Sequence, residues 1–321
     1  LFTETDGVGI WAPNVLRTVA SISVRAPEPL TCPCGSASAS VLRRGMWREF
    51  LRCQRCGLLA KNPMPPQAER IAWYREQYWE YFRDEQLGSS RDNVHTHALA
   101  WLHRLAPQLG TLVDVGCGSG HLLALCREQG WKGIGFDPSR SAVAYAQAMG
   151  LEAYAEPWPP CSLANETVGA VTFINVLDHL VDPFGALREA WRILRPGGLL
   201  YIRVANGPVQ SRLKRLLSAV RLDRLAVIHL FGFSRAAFQY HLPRLGLDII
   251  TVRSAPPSQR YAYGQSGGWT SVLRNSLKMT DRLVYRALAG LGLDRRAWGL
   301  TIEVMAKKGR PPTSGSNGGG D

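Results

Sequence analysis

The chain has 321 residues, 45% of them hydrophobic, enough to bury a full α/β core with room for a small second module. No apolar run reaches the roughly 18 residues that a membrane-spanning helix needs, so none is expected. Thirty-eight Lys and Arg against 25 Asp and Glu give a formal charge of +13, which points to an acidic partner (RNA, an anionic membrane or a phosphorylated substrate) or equally reflects an arginine-rich composition with no partner behind it.

Residues 1–30 read as an irregular lead-in, interrupted by Pro, Gly and Glu and lacking the basic-then-apolar pattern of a leader peptide. Residues 31–66 form a small cysteine-bearing module with little helical period. In it, Cys32-Pro-Cys-Gly35 and Cys53-Gln-Arg-Cys-Gly57 are separated by 18 residues. Four thiolates satisfy a tetrahedral zinc ion, and the glycine after each pair permits the tight turn of a knuckle. The second pair has ordinary C-x-x-C spacing, and the first is one residue short. The alternatives are a ribbon that holds its shape by packing alone, and redox chemistry. With four of seven cysteines grouped, metal binding in a reducing cytoplasm is expected ahead of a disulfide framework.

Pro63, Pro65 and Pro66 break the chain before an aromatic helix expected over 68–82. Its Trp73, Tyr74, Tyr78, Trp79 and Tyr81 either pack on the main domain, 67–308, or reach a substrate. A second helix is expected over 91–105. From 111 onward short apolar runs alternate with helical stretches, the pattern of a parallel sheet with right-handed crossovers. Strands are expected near 111–116, 131–137, 151–155, 169–176, 198–205, 247–254 and 299–307.

Val113-Asp-Val-Gly-Cys-Gly-Ser-Gly-His-Leu-Leu123 carries most information. An apolar strand enters a turn with glycines at Gly116, Gly118 and Gly120, and a helix follows. Glycines allow close backbone approach to a ligand, and the helix N-terminus offers it N–H groups. The next strand ends at Asp137, 17 residues beyond Gly120, where a carboxylate is placed to accept hydrogen bonds from ribose hydroxyls. Segments 207–242 and 256–298 read as insertions around the later strands. Each carries a basic helix, with Arg212, Lys214, Arg215, Arg221 and Arg224 in the first and Arg274, Lys278, Arg282 and Arg286 in the second. Such helices lie on an anionic membrane, cover a pocket for a phosphorylated acceptor, or are merely solvated faces. The Gly/Pro/Ser-rich tail, 309–321, is expected to be disordered.

Four ordered motifs resemble the class I S-adenosylmethionine (SAM)-dependent methyltransferases over about 95–308: the glycine loop, the acid Asp137, Asn175-Val-Leu-Asp-His179, and Leu194-Arg-Pro-Gly-Gly198. Two departures are Val168-Gly169 before the fourth strand and Asp178 where the family usually has Glu. The resemblance implies a Rossmann-like sheet of seven mostly parallel strands, the last strand antiparallel and inserted at the sheet edge. It implies a SAM site built from Asp114, Gly116, Cys117, Gly118, Gly120, Asp137, Pro138, Glu156, Asn175 and Val176, with Cys117 as a small residue against the ligand. His179 is then either a general base or a structural histidine. His229, in Ile228-His-Leu-Phe-Gly-Phe-Ser234, resembles the histidine that precedes a lid helix and faces the acceptor.

The cysteine segment, continuing through Cys56-Gly-Leu-Leu-Ala-Lys-Asn-Pro-Met-Pro65, resembles the zinc-ribbon start of methyltransferases from polysaccharide and sugar pathways. On that likeness Cys32, Cys34, Cys53 and Cys56 hold a structural zinc, and the acceptor is a small hydroxylated molecule: a saccharide, nucleotide-sugar or lipid-linked glycan. The alternatives are an rRNA or tRNA methyltransferase, with nucleic acid the less favoured partner, and a non-catalytic SAM-binding subunit. The expected location is cytoplasmic, either free or peripheral to the inner face of the membrane.

Overall fold

The computed structural model describes residues 32–36, 39–41, 50–62, 64–87, 92–108, 110–159, 162–219, 229–258 and 269–310. The expected lead-in, Arg221, Arg224, nearly all of the expected tail, and the side chains of Arg274 and Lys278 lie outside what is described.

In chain order the elements are β1 (Ala39–Val41), β2 (Phe50–Cys53), β3 (Leu59–Lys61), α1 (Gln67–Glu76), α2 (Tyr78–Leu87), α3 (Asp92–Leu105), β4 (Thr111–Val115), α4 (His121–Glu128), β5 (Lys132–Phe136), α5 (Arg140–Ala148), β6 (Glu152–Tyr154), β7 (Val168–Ile174), α6 (Pro183–Ile193), β8 (Leu194–Ala205), α7 (Gly207–Ser218), β9 (Phe231–Gly232), α8 (Arg235–His241), β10 (Leu247–Ser254), α9 (Trp269–Gly290) and β11 (Thr301–Lys308).

Seven strands form the main sheet in the order β10-β11-β8-β7-β4-β5-β6. Alternation along each strand divides its side chains between the two faces. On β8, Leu199 and Tyr201 join Leu99 and Leu102 of α3 on one face, while Leu200, Ile202 and Val204 join Leu187 and Ala190 of α6 on the other. Covering both faces explains why β7, Val-Gly-Ala-Val-Thr-Phe-Ile, is buried at every position and reads as a continuous apolar run. Side chains cap the starts of α5 and α6: Ser139 accepts from Ala142 N–H ahead of α5, and Asp182 accepts from Gly185 N–H ahead of α6, whose first residue is Pro183.

Every expected strand of this sheet is present, but three local expectations change. The last strand does not sit at the edge. β11 lies between β10 and β8, antiparallel to both, which leaves β10 as the edge strand. β8 begins four residues before the expected 198, because Leu194 already pairs with Val168 ahead of an irregularity in the ladder. The aromatic helix is two helices. At Gln77 the backbone leaves helical geometry (φ −116°), although its N–H still bonds Trp73 O at 2.9 Å.

A second, antiparallel sheet has the order β1-β2-β3-β9. Its first three strands come from the cysteine segment, and β9 comes from the 207–242 insertion. Cys53, Cys56 and Leu58 share one apolar cluster with Phe173 and Phe233, so this segment packs into the main core. Gly207 and Gly232 make the junction possible: a Cβ on Gly207 would stand 2.5 Å from the backbone carbon of Gly232.

Candidate functional site

At the carboxyl end of β4 the chain turns through Gly116–Gly120 into α4. Gly116 has φ +75°, a left-handed value that disfavours side chains, and a Cβ there would lie 2.3 Å from Cγ2 of Val176. Its N–H bonds Phe136 O at 2.7 Å, which ties the turn to the end of β5. Asp137 follows directly. Its Oδ2 accepts from Gly118 N–H at 2.9 Å and its Oδ1 from Ser139 N–H at 2.8 Å. Each carboxylate oxygen has a second lone pair, so this arrangement keeps acceptor capacity for a diol. Burial pushes the Asp137 carboxyl up to about 6, against the two backbone donors that favour its charge. Asp114, within β4, accepts from Thr172 Oγ1 at 2.6 Å, and burial raises it to about 7.

The expected cofactor residues Gly116, Gly118, Gly120, Asp137, Pro138, Asn175 and Val176 thus lie at the carboxyl ends of adjacent parallel strands, where open α/β sheets bind ligands. Glu156 is exposed just past β6. For Cys117 the expectation is a small residue against the ligand. Its side chain turns into the protein and packs with Leu123, Val143 and Ala146 over Gly135, because the absent Gly135 side chain leaves room for the sulfur.

A second group forms where β7 ends. Asn175 adopts φ +57°, a conformation Asn tolerates better than most residues, and its Oδ1 accepts from Arg203 of β8. One tight turn follows, Leu177–His179. His179 and His229 are 50 positions apart in the chain, yet their rings meet with centroids 3.6 Å apart and planes tilted by 32°. Tyr74 of α1 places its hydroxyl 2.6 Å from His179 Nδ1, and Arg70 donates to the His179 carbonyl. Asp178 is buried beside them, and burial raises its carboxyl to about 7 against backbone N–H groups of Asp178 and Ala205 and the positive charges of Arg203 and Arg70, all of which favour its ionised form. The backbone of Leu230 fixes His229: its N–H donates to Asp178 O at 3.0 Å, and its carbonyl accepts from Lys61 N–H at 2.8 Å.

Sequence reasoning missed Arg70, Tyr74 and Arg203 as parts of this group. Tyr74 had a signal, since it belongs to the aromatic helix whose substrate-facing alternative was open. An arginine inside the apolar run Leu199–Val204 was a second signal, because a buried guanidinium needs partners. Arg70, on the polar first turns of α1, had none.

The four cysteines come together. Cys32 Sγ lies 3.6 Å from Cys56 Sγ, Cys34 Sγ lies 3.5 Å from Cys53 Sγ, and all four sulfurs are within 4.8 Å of one another. These separations are far longer than a disulfide and close to the ~3.8 Å edge of a tetrahedron with 2.3 Å zinc–sulfur bonds. The Cys32–Cys56 hydrogen bond raises the Cys32 thiol and lowers that of Cys56 to about 3.

A methyltransferase-domain family model matches residues 90–252, about half the chain. Ubiquinone biosynthesis O-methyltransferase of Aliivibrio fischeri is 29% identical over 121 residues, covering 36% of this chain and 52% of that protein. The protein of the same name from Ralstonia nicotianae is 26% identical over 166 residues, covering 49% and 68%. The chain therefore spans about half the length of the first curated relatives it matches. A chain from the complex between the Haloferax volcanii Trm112 methyltransferase activator and a methyltransferase superposes with a TM-score of 0.51. It is 19% identical and covers 74% of this chain and 98% of that one, a likeness of fold. Among the described residues no helix is long and apolar enough to cross a membrane.

Proposed function

The chain belongs to the methyltransferase-domain family, and from that premise we propose that it transfers a methyl group from SAM to a hydroxyl of a small acceptor, which we read as a saccharide, a nucleotide-sugar or a lipid-linked glycan. SAM, when bound, supplies an activated sulfonium methyl. The chain's residues must then hold it, align the acceptor oxygen behind the methyl carbon and take up the hydroxyl proton. Gly116–Gly120 offer backbone to the cofactor, Asp137 accepts from its ribose hydroxyls, and Val176 packs over the turn. His229 orients the acceptor, and His179 takes its proton at one ring nitrogen while Tyr74 holds the ring through the other. The observation that carries this reading is the His179–His229 ring contact with Tyr74 on His179 Nδ1, set one turn beyond β7. The relatives' names, O-methyltransferases, support oxygen as the acceptor atom.

Cys32, Cys34, Cys53 and Cys56 fit one structural zinc in this reading: four sulfur ligands leave no open position for activating water.

The test incubates labelled SAM with a nucleotide-sugar and glycolipid extract and, separately, with RNA. Label in the first, lost on His229→Ala, is expected. Label in RNA alone, with His229→Ala fully active, would overturn the acceptor class and the residue together.

A further inference from the structure

We propose that Asp178, His179 and His229 form a second metal site, separate from the cysteine cluster, that takes a zinc-like transition-metal ion and blocks the acceptor site when filled. One carboxylate oxygen and one nitrogen from each ring lie within 4.8 Å of one another. Two imidazoles and a carboxylate are a donor set suited to first-row transition metals. Asp178 adds a buried carboxylate: it is 1% exposed, backbone N–H groups of Asp178 and Ala205 and the charges of Arg203 and Arg70 favour its ionised form, and among the described residues one of its oxygens, Oδ1, has no hydrogen-bond partner. Tyr74 completes the arrangement. When His179 donates Nδ1–H to the Tyr74 oxygen, the lone pair sits on Nε2, and metal-bound histidines are oriented by such outer partners. Both rings are only half-buried, so an ion reaches them from solvent.

The surroundings also choose the ion. Arg70 and Arg203 place positive charge near Asp178, which penalises Mg2+ or Ca2+, held mainly by oxygen ligands and charge. Zinc, nickel and copper gain instead from the imidazole nitrogens. Occupancy takes up the ring lone pairs that the proposed reaction uses, so the ion inhibits competitively with the acceptor and leaves SAM binding alone. The inhibitory consequence rests on the acceptor-site reading above, whereas metal binding does not.

The experiment uses the full chain with its cysteine cluster already loaded with zinc, titrated with Co2+ and with Ni2+. One further equivalent is expected, with a visible spectrum lacking thiolate charge transfer. Asp178→Asn and His229→Ala should each abolish that equivalent, and Tyr74→Phe should weaken it by about tenfold. Retained binding of S-adenosylhomocysteine certifies that each variant is folded. No additional equivalent in wild type, or one that survives both Asp178→Asn and His229→Ala, overturns the site. An equivalent that requires these residues yet leaves methyl transfer untouched supports the site and counts against His179 as the base.

Discussion

Gly118 and Ser139 donate to different oxygens of the Asp137 carboxylate. These bonds lock the side chain in place, so a ribose meets a preset acceptor and little ordering is left to do on binding. Calorimetry with S-adenosylhomocysteine should therefore show one-to-one binding that Asp137→Ala weakens by ~1.5–3 kcal/mol, the scale of hydrogen bonds to a charged group. The same residue predicts a pH dependence. Its carboxyl is pushed up to about 6, so lowering the pH through that value protonates it and removes acceptor capacity. Affinity should fall between pH 7.5 and pH 5, and Asp137→Asn should flatten the fall. A steep pH profile that persists in Asp137→Asn would assign it to another group.

At the level of elements, the junction of β3 with β9 links the cysteine segment to the histidine pair. Leu59 pairs with Gly232, Ala60 with Phe231, and Lys61 then holds Leu230, the neighbour of His229. Cys53→Ser removes one sulfur from the strand that pairs with β3, so the whole ladder loosens. Zinc content should drop from about one ion per chain on the four-sulfur reading, amide exchange should accelerate in 50–62 and 229–233, and methyl transfer should fall. Binding of S-adenosylhomocysteine should survive, because Gly116–Gly120 and Asp137 hang from β4 and β5. Loss of cofactor binding together with zinc would show that the two sheets do not separate in this way. This junction was invisible in the sequence. Central strands of the main sheet such as β7, buried at every position, were legible as apolar runs that fill a covered face. Phe231–Gly232 is two residues long, and it is a strand only because β3 lies beside it. Likewise the glycine turn, Asp137 and the four cysteines could be picked out by type and spacing, and both histidines through the family resemblance, whereas the closeness of His179 to His229 and Tyr74 is a product of tertiary packing. The placement of β11 inside the sheet was missed for the same reason: strand order is decided by packing partners, and the local pattern of Thr301–Lys308 fits an edge or an interior position equally.

For the molecule as a whole, its buried carboxylates pull stability in opposite directions. Asp114 and Asp137 are raised by burial, to about 7 and about 6, above the ordinary 3.8. As pH falls through those values the folded chain takes up protons that the unfolded chain does not, so stability rises. Glu303 behaves the other way. Although burial alone would raise it, His97, Arg253 and the Tyr201 hydroxyl hold its carboxyl below the ordinary 4.5, through contacts of 3.1, 2.7 and 2.8 Å. The stability it contributes is complete above that ordinary value and is lost as pH drops through its lowered one. The ligand-free protein should thus be most stable in mildly acidic solution. Its melting temperature should climb from pH 8 toward pH 5.5 and fall below about pH 4. The formal charge of +13 grows on acidification and its self-repulsion opposes the climb, so the scan belongs in salt that shortens the Debye length below about 8 Å. Asp114→Asn offers the sharper test. It keeps an acceptor for the Thr172 hydroxyl while removing the titrating group, so the rise between pH 8 and pH 6 should shrink by several degrees, at about 2–4 °C per kcal/mol for a chain near this size. An unchanged slope in Asp114→Asn would mean that this carboxyl is already protonated throughout the range or never protonates within it, and that the pH dependence of the fold originates elsewhere.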